Sequence, residues 1–254
     1  MKHQVVEMMY PQLQLTKQEL QHEFKLRRGT IFDYVTIEAD NLLDHYVPAI
    51  LVLLFNNGKI DSDKSIVQMS AVMQFIHFGT LIHNQIDESD DDSTQFPILV
   101  GDYLYGKFFE TLCKADRIKF LGPLSNVIKL IHEAEVELHL LNDGEKNKAT
   151  LLRLYETRWG EFFGLSCLIG SQFNNESPEE QNTAYSAGRM LGVFYGAVKN
   201  DSFKLEWCED IRLKATILTK RLNNSQAKKG LLSLIDYYYD VVQDRSNSKS
   251  SLVV

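Results

Sequence analysis

FIHFGTLIHNQIDESDDDSTQFPILVGDYLYG, residues 75–106, decides the fold. Its opening residues close an apolar run that begins near Ile66 and places apolar side chains on nearly every helical face. Such a helix needs neighbours on all sides, so the run predicts the central helix of a bundle, over about residues 62–86. At its C-terminal end His83, Asn84, Gln85, Asp87 and Glu88 gather polar atoms where a buried helix would reach solvent. The acidic run 87–92 reads as a solvated loop, with Asp87, Glu88 and Asp91 as weak candidates for holding a metal. Pro97 then sits in the first turn of the next helix, which extends to Lys114.

Working outward, a capping box of Thr16 and Glu19 predicts a helix start in the N-terminal segment, after a break at Pro11. Residues 25–28 (KLRR) read as a solvated helix end. Residues 30–55 read as helical with an interruption near Pro48, closed by Asn56, Asn57 and Gly58. Downstream, Gly122-Pro123 predicts a break. Helices follow over about residues 124–141 and 150–173. Ser177-Pro178-Glu179-Glu180 combines an N-cap, a first-turn proline and a capping-box glutamate, and opens a helix that reaches Val198. That helix also has a polar end, Lys199, Asn200 and Asp201. Helices over 205–222 and 226–243 complete the set. No stretch alternates as a strand should, so the fold class expected is all-α: one helical bundle over residues 1–245 with a flexible tail over 246–254.

The 254 residues, 44% hydrophobic, suffice for one large core. A net charge of −7 without a basic stripe argues against nucleic acid as a partner. Cys113, Cys167 and Cys208 are odd in number and outside any CxxC, so neither a disulfide framework nor a zinc site is indicated. The N-terminal residues lack the apolar core of a signal peptide, and the longest apolar run, 47–55, is far short of a membrane span. A soluble, cytoplasmic protein is the expectation.

Two apolar helices with polar C-terminal ends, far apart in the chain, face each other across a cavity in one architecture. From about residue 40 to residue 203 the chain resembles the trans-prenyl diphosphate synthases (polyprenyl synthetases), whose fold is a helical bundle around a central cavity. His83-Asn84-Gln85-Ile86-Asp87-Glu88 is similar to that family's first aspartate-rich motif, typically HDDVID, with the two leading aspartates replaced by amides. Gly101-Asp102-Tyr103-Leu104 matches the family's next helix start without change. Arg158-Trp159-Gly160-Glu161-Phe162-Phe163 is similar to its Lys-Thr-Ala-x-Leu-Phe helix and places Arg158 at the diphosphate-binding lysine. Residues 191–203 are similar to its second motif, LGxxFQxxDDxxD, of which Leu191-Gly192 and the helical body remain.

The resemblance implies prenyl transfer in which carboxylates of both motifs hold magnesium against an allylic diphosphate. It places Asn84, Gln85 and Glu88 at one set of ligand positions, and Lys199, Asn200 and Phe203 at the other. One carboxylate of the set survives. Magnesium requires hard, charged oxygen ligands. A lysine about 6 Å away would repel it by about 5 kcal/mol at an effective dielectric of about 20. The family's Gly-Gly-Lys-x-x-Arg-Pro segment is replaced by Asp44-His45-Tyr46-Val47-Pro48, so both diphosphate subsites are depleted. Gly79 and Thr80, with Phe75 and Phe78, fall where the family lines its product tunnel, and ordinary core packing is the alternative.

Three functions remain open on these residues. The first is a catalytically deficient accessory subunit that pairs with an intact polyprenyl diphosphate synthase, or with itself, through the helix of residues 98–112 carrying Phe108 and Phe109. The others are a divergent active synthase using Mg²⁺, and a carrier holding a prenyl chain in the cavity. No cofactor is expected outside the second.

Overall fold

The computed structural model describes residues 2–23, 42–55, 64–84, 95–199 and 205–251. Ten α-helices occupy them: α1 (Lys2–Glu23), α2 (Leu42–Leu54), α3 (Lys64–His83), α4 (Gln95–Lys114), α5 (Leu121–Leu140), α6 (Lys148–Tyr155), α7 (Glu161–Phe173), α8 (Pro178–Lys199), α9 (Leu205–Lys220) and α10 (Ser225–Ser251). A π-helical turn, Glu156–Gly160, joins α6 to α7, and short 3₁₀ turns cover Ile118–Phe120 and Asp143–Glu145. Among the described residues there is no strand, as the sequence predicts.

The helix α3 is the centre. Every residue from Ile66 to Thr80 is buried, and α1, α2, α4, α5 and α7 pack around it. It is also the one described helix long and apolar enough to cross a membrane, and 89% of its apolar window is buried within the bundle. Two of its polar interior side chains, Ser70 and Gln74, make identified hydrogen bonds. Ser70 donates to the Val67 carbonyl at 2.7 Å, so its oxygen accepts the Thr16 hydroxyl at 2.7 Å. Gln74 Nε2 donates to the His45 carbonyl at 2.6 Å.

The second layer, the π turn and α7 on α8, is set by glycine. A Cβ at Gly192 would lie 2.2 Å from the Trp159 carbonyl oxygen, and one at Gly188 would lie 2.6 Å from the Phe163 carbonyl oxygen. The two helices therefore meet backbone to backbone, which only a residue without a side chain permits.

Several boundaries depart from the sequence reading. Thr16 caps nothing: α1 runs unbroken through Pro11, and the Thr16 hydroxyl serves the tertiary contact with Ser70. Pro48 lies inside α2, and Gly122-Pro123 lies in the first turn of α5, where a missing N–H leaves no bond unmade. At the start of α8, Ser177 Oγ does accept the Glu180 N–H at 3.2 Å. The Glu180 carboxylate, however, reaches across to the α9–α10 corner, accepting from Asn223 N at 2.6 Å and Asn223 Nδ2 at 3.0 Å. The helical backbone of α10 continues to Ser251, past the point where the tail was expected to begin. The stops at residues 56–58, the basic run 25–28 and the acidic loop lie outside the described residues. All three cysteines are free thiols.

Candidate functional site

At the C-terminal end of α3, the His83 ring lies against the first turns of α4. A Cβ at Gly101 would fall 2.1 Å from His83 Nε2, so the glycine of the Gly-Asp-Tyr-Leu stretch is what allows the imidazole to sit there. Asp102 Oδ1 and the Ile98 carbonyl oxygen are each 3.4 Å from that nitrogen. One turn back on α3, Thr80 Oγ1 donates to the Ile76 carbonyl at 2.9 Å, and its oxygen lies 3.2 Å from Tyr105 Oη. Tyr105 Oη is also 2.7 Å from His132 Nε2 on α5. The hydrogen-bonded line Thr80, Tyr105, His132 thus joins three helices. Burial raises the Tyr105 phenol above its ordinary value, so it remains a donor at neutral pH.

Arg158 enters from the π-helical turn. Its Nε lies 2.6 Å from Glu135 Oε2 as an ion pair, and its guanidinium carbon stands 4.5 Å from the Trp159 ring centroid. Both side chains are largely buried, with 14% and 27% exposure. Burial lowers the basicity of Arg158 and raises the Glu135 carboxyl above its usual range, and their mutual attraction offsets part of each effect. A π turn accommodates one surplus residue within a continuous helix and recurs at functional sites. Trp159 packs edge-on to Tyr195 at 4.9 Å between centroids, and the Lys199 ammonium lies 5.5 Å over the Tyr195 ring. A line of side chains runs from His83 to His132, 5.8 Å away ring to ring, one turn along α5 to Glu135, and on by Arg158, Trp159 and Tyr195 to Lys199. The ends of α3 and α8 bound one polar face of the bundle.

Of the residues singled out in the sequence, His83, Asn84, Arg158 and Lys199 belong to this face or its rim. Asn84 is exposed, its N–H bonded to the Thr80 carbonyl at 3.1 Å. Phe75 and Phe78 are fully buried in the core, Phe78 edge-on to Tyr46. Gly79 faces the Tyr105 ring, 3.1 Å from where its Cβ would be. Gln85, Asp87, Glu88, Asp91, Asn200, Asp201 and Phe203 lie outside the described residues. Sequence reasoning missed Tyr105, His132 and Glu135. The signal available was His132 and Glu135 at i and i+3 on the face of α5 that also carries Ile131. Among the described residues no cluster of three or more His, Cys, Asp or Glu side chains could hold a metal.

Burial, with the charges of His83 and Arg158 adding, holds the His132 imidazole below its ordinary 6.5. A folded value below the unfolded one gives stability that is present above the unfolded value and lost as pH falls through the folded one. Between about pH 7.5 and about pH 5.5 the urea midpoint of the native chain should therefore fall. His132→Gln should flatten that limb. An equal acid loss in the variant would remove His132 as its source.

No protein-family profile matches the chain. It is 27% identical to octaprenyl diphosphate synthase of Escherichia coli K12 over 141 residues, 51% of this chain and 44% of that protein. It is 23% identical to decaprenyl-diphosphate synthase subunit 2 of Schizosaccharomyces pombe over 172 residues, 64% of this chain and 57% of that one. The chain spans about half the length of these curated relatives. In three dimensions it is similar to a polyprenyl synthase from Caulobacter crescentus CB15 crystallised with calcium and isoprenyl diphosphate. The TM-score is 0.74 at 14% identity, covering 92% of this chain and 96% of the other. The bundle is the one these synthases share, and the sequence matches fall on synthases that make prenyl diphosphates. The chain is therefore similar to trans-isoprenyl diphosphate synthases in sequence over about half its length, and in fold over nearly all of it.

Proposed function

We propose that the chain is a catalytically deficient member of the trans-isoprenyl diphosphate synthase family, serving isoprenoid biosynthesis as the accessory subunit of a heteromeric polyprenyl diphosphate synthase. The observation that carries the reading is the Arg158–Glu135 pair. The cation that resemblance assigns to the diphosphate is held by a carboxylate of its own chain, so a diphosphate would have to displace Glu135 to reach it. The donor set points the same way: at two ligand positions stand a neutral amide, Asn84, and a cation, Lys199. That set does not fit magnesium, which requires hard, charged oxygen ligands.

A subunit that kept the bundle still offers a surface. On α4, Ile98, Leu99 and Phe109 are 41%, 64% and 46% exposed, and on α5 Val136 and Leu140 are 60% and 72% exposed. Phe108, expected from the sequence to join them, instead packs into the core at 6% exposure. An obligate interface over these helices would bury on the order of 2,000 Å² or more. The relative named as subunit 2 of a decaprenyl-diphosphate synthase supports a heteromeric role.

The test is incorporation of labelled isopentenyl diphosphate onto an allylic diphosphate, by the purified chain alone and co-expressed with an intact synthase from the same source. No turnover alone, co-elution on size exclusion and an altered yield or length of product are expected. Turnover by the chain alone would instead make it a divergent synthase. Separate elution with unchanged product would end the accessory reading.

A further inference from the structure

At the opposite end of the bundle from the polar face, the α4–α5 corner meets the α7–α8 corner. Both reverse through a residue with left-handed backbone, Asp116 and Asn175, each at φ 53°. Between them lies a pocket of about 310 Å³ lined by Arg117, Lys119, Phe120, Gln172, Phe173 and Asn175. Its cations are held over rings: the Arg117 guanidinium carbon is 5.2 Å from the Phe173 centroid, and the Lys119 ammonium is 5.0 Å from that of Phe120. Stacking of this kind positions a cation without neutralising it.

Neither cation has a carboxylate partner among the described residues, and Arg117 makes its hydrogen bond to the Asp116 carbonyl at 3.2 Å. In contrast, Arg153, Arg158, Arg189 and Arg212 each hold a carboxylate. In a chain of net charge −7, two uncompensated cations in one concavity are a local inversion of sign. The lining side chains otherwise offer two carboxamides, which can donate, and no carboxylate. The C-terminal end of α7 brings partial negative charge to the same corner. Its last carbonyls are already taken, Gly170 O by Asn174 N, Ser171 O by Glu176 N and Gln172 O by Asn175 N.

We propose that this corner binds a small phosphate-bearing molecule, at a site separate from the polar face around Arg158. Charge decides for phosphate over carboxylate: a phosphomonoester carries about −1.5 to −2 at neutral pH, which two cations match. Arginine presents the fork that pairs with phosphate oxygens, and lysine adds a point charge. Phe120 and Phe173 flank the cations with apolar surface for the organic part of the ester. The volume sits at the lower end of small-molecule sites, so a compact ester fits and a long-chain one does not.

Phenyl phosphate titrated into the full chain by calorimetry tests this. Saturable binding at millimolar concentration or tighter is expected, weakened by salt. Arg117→Gln/Lys119→Gln should lower the affinity at least about tenfold with the melting temperature kept. Should that double variant unfold, Lys119→Glu, a change at an exposed side chain, serves in its place and should abolish binding. Lys129→Gln on α5, outside the pocket, should leave binding unchanged. Absence of saturation in the native chain, or equal affinity in the Lys119→Glu variant, would overturn the assignment.

Discussion

Gly192→Ala should lower the unfolding temperature by roughly 6–12 °C, the equivalent of about 3 kcal/mol in a chain of this size. The new Cβ would stand 2.2 Å from the Trp159 carbonyl oxygen, 2.6 Å from its carbonyl carbon and 2.9 Å from Gly160 Cα. All three are backbone atoms, so no side chain can rotate away and the helices must separate. Separation would loosen Trp159 on Tyr195, and with it the end of α8 that carries Lys199. Helix propensity alone argues the other way, because alanine in a helix is favoured over glycine by about 1 kcal/mol. Gly106→Ala isolates that contribution, since a Cβ at Gly106, in α4, meets nothing within 4 Å. The two variants should move in opposite directions in the same calorimetric scan. Equal effects at both positions would mean that the contact of α8 with the π turn is not backbone-limited.

The second large effect is expected at Glu135. Truncation to alanine leaves Arg158 mostly buried, at 14% side-chain exposure, with its counter-charge gone. Breaking one side of a buried pair costs about 3–5 kcal/mol, and the partial exposure of Glu135 places this pair at about the lower bound. The pair as a whole is a different matter. Burial opposes the charge on both partners, so replacing both with apolar residues, Glu135→Leu with Arg158→Met, should come much closer to native stability than either single change. Urea midpoints of the two single variants and the double variant give the coupling energy directly. A double variant as unstable as the sum of its parts would show that Glu135 and Arg158 act separately.

The fold was legible wherever a pattern is local. All-round apolarity identifies α3 as the centre, Pro97 marks the first turn of α4, and Ser177-Pro178 opens α8 at the residue where the helix begins. What was not legible depends on partners remote in sequence. Glu180 looks like a capping-box residue until Asn223 is beside it, 43 residues away. Thr16 looks like a cap until Ser70 is 2.7 Å from it. The site divides in the same way. His83 and Arg158 could be picked out through motifs, whereas His132 and Glu135 occupy an amphipathic helix whose polar residues read as solvent-facing until α4 and the π turn cover them.

The π turn at Glu156–Gly160 also changes what kind of mutation the polar face should tolerate. One residue in an α-helix corresponds to about 100° of rotation, so a surplus residue turns everything before it by that angle relative to everything after it. Arg158 sits inside the surplus, between α6, which packs on α5, and α7, which packs on α2 and α8. Its aim at Glu135 is therefore fixed by how many residues separate those two packed helices more than by which residues they are. Point substitutions on the exposed side of the turn leave that phase intact. A single-residue deletion there would restore regular winding and swing the guanidinium away from α5, so along this stretch chain length itself is the inherited quantity.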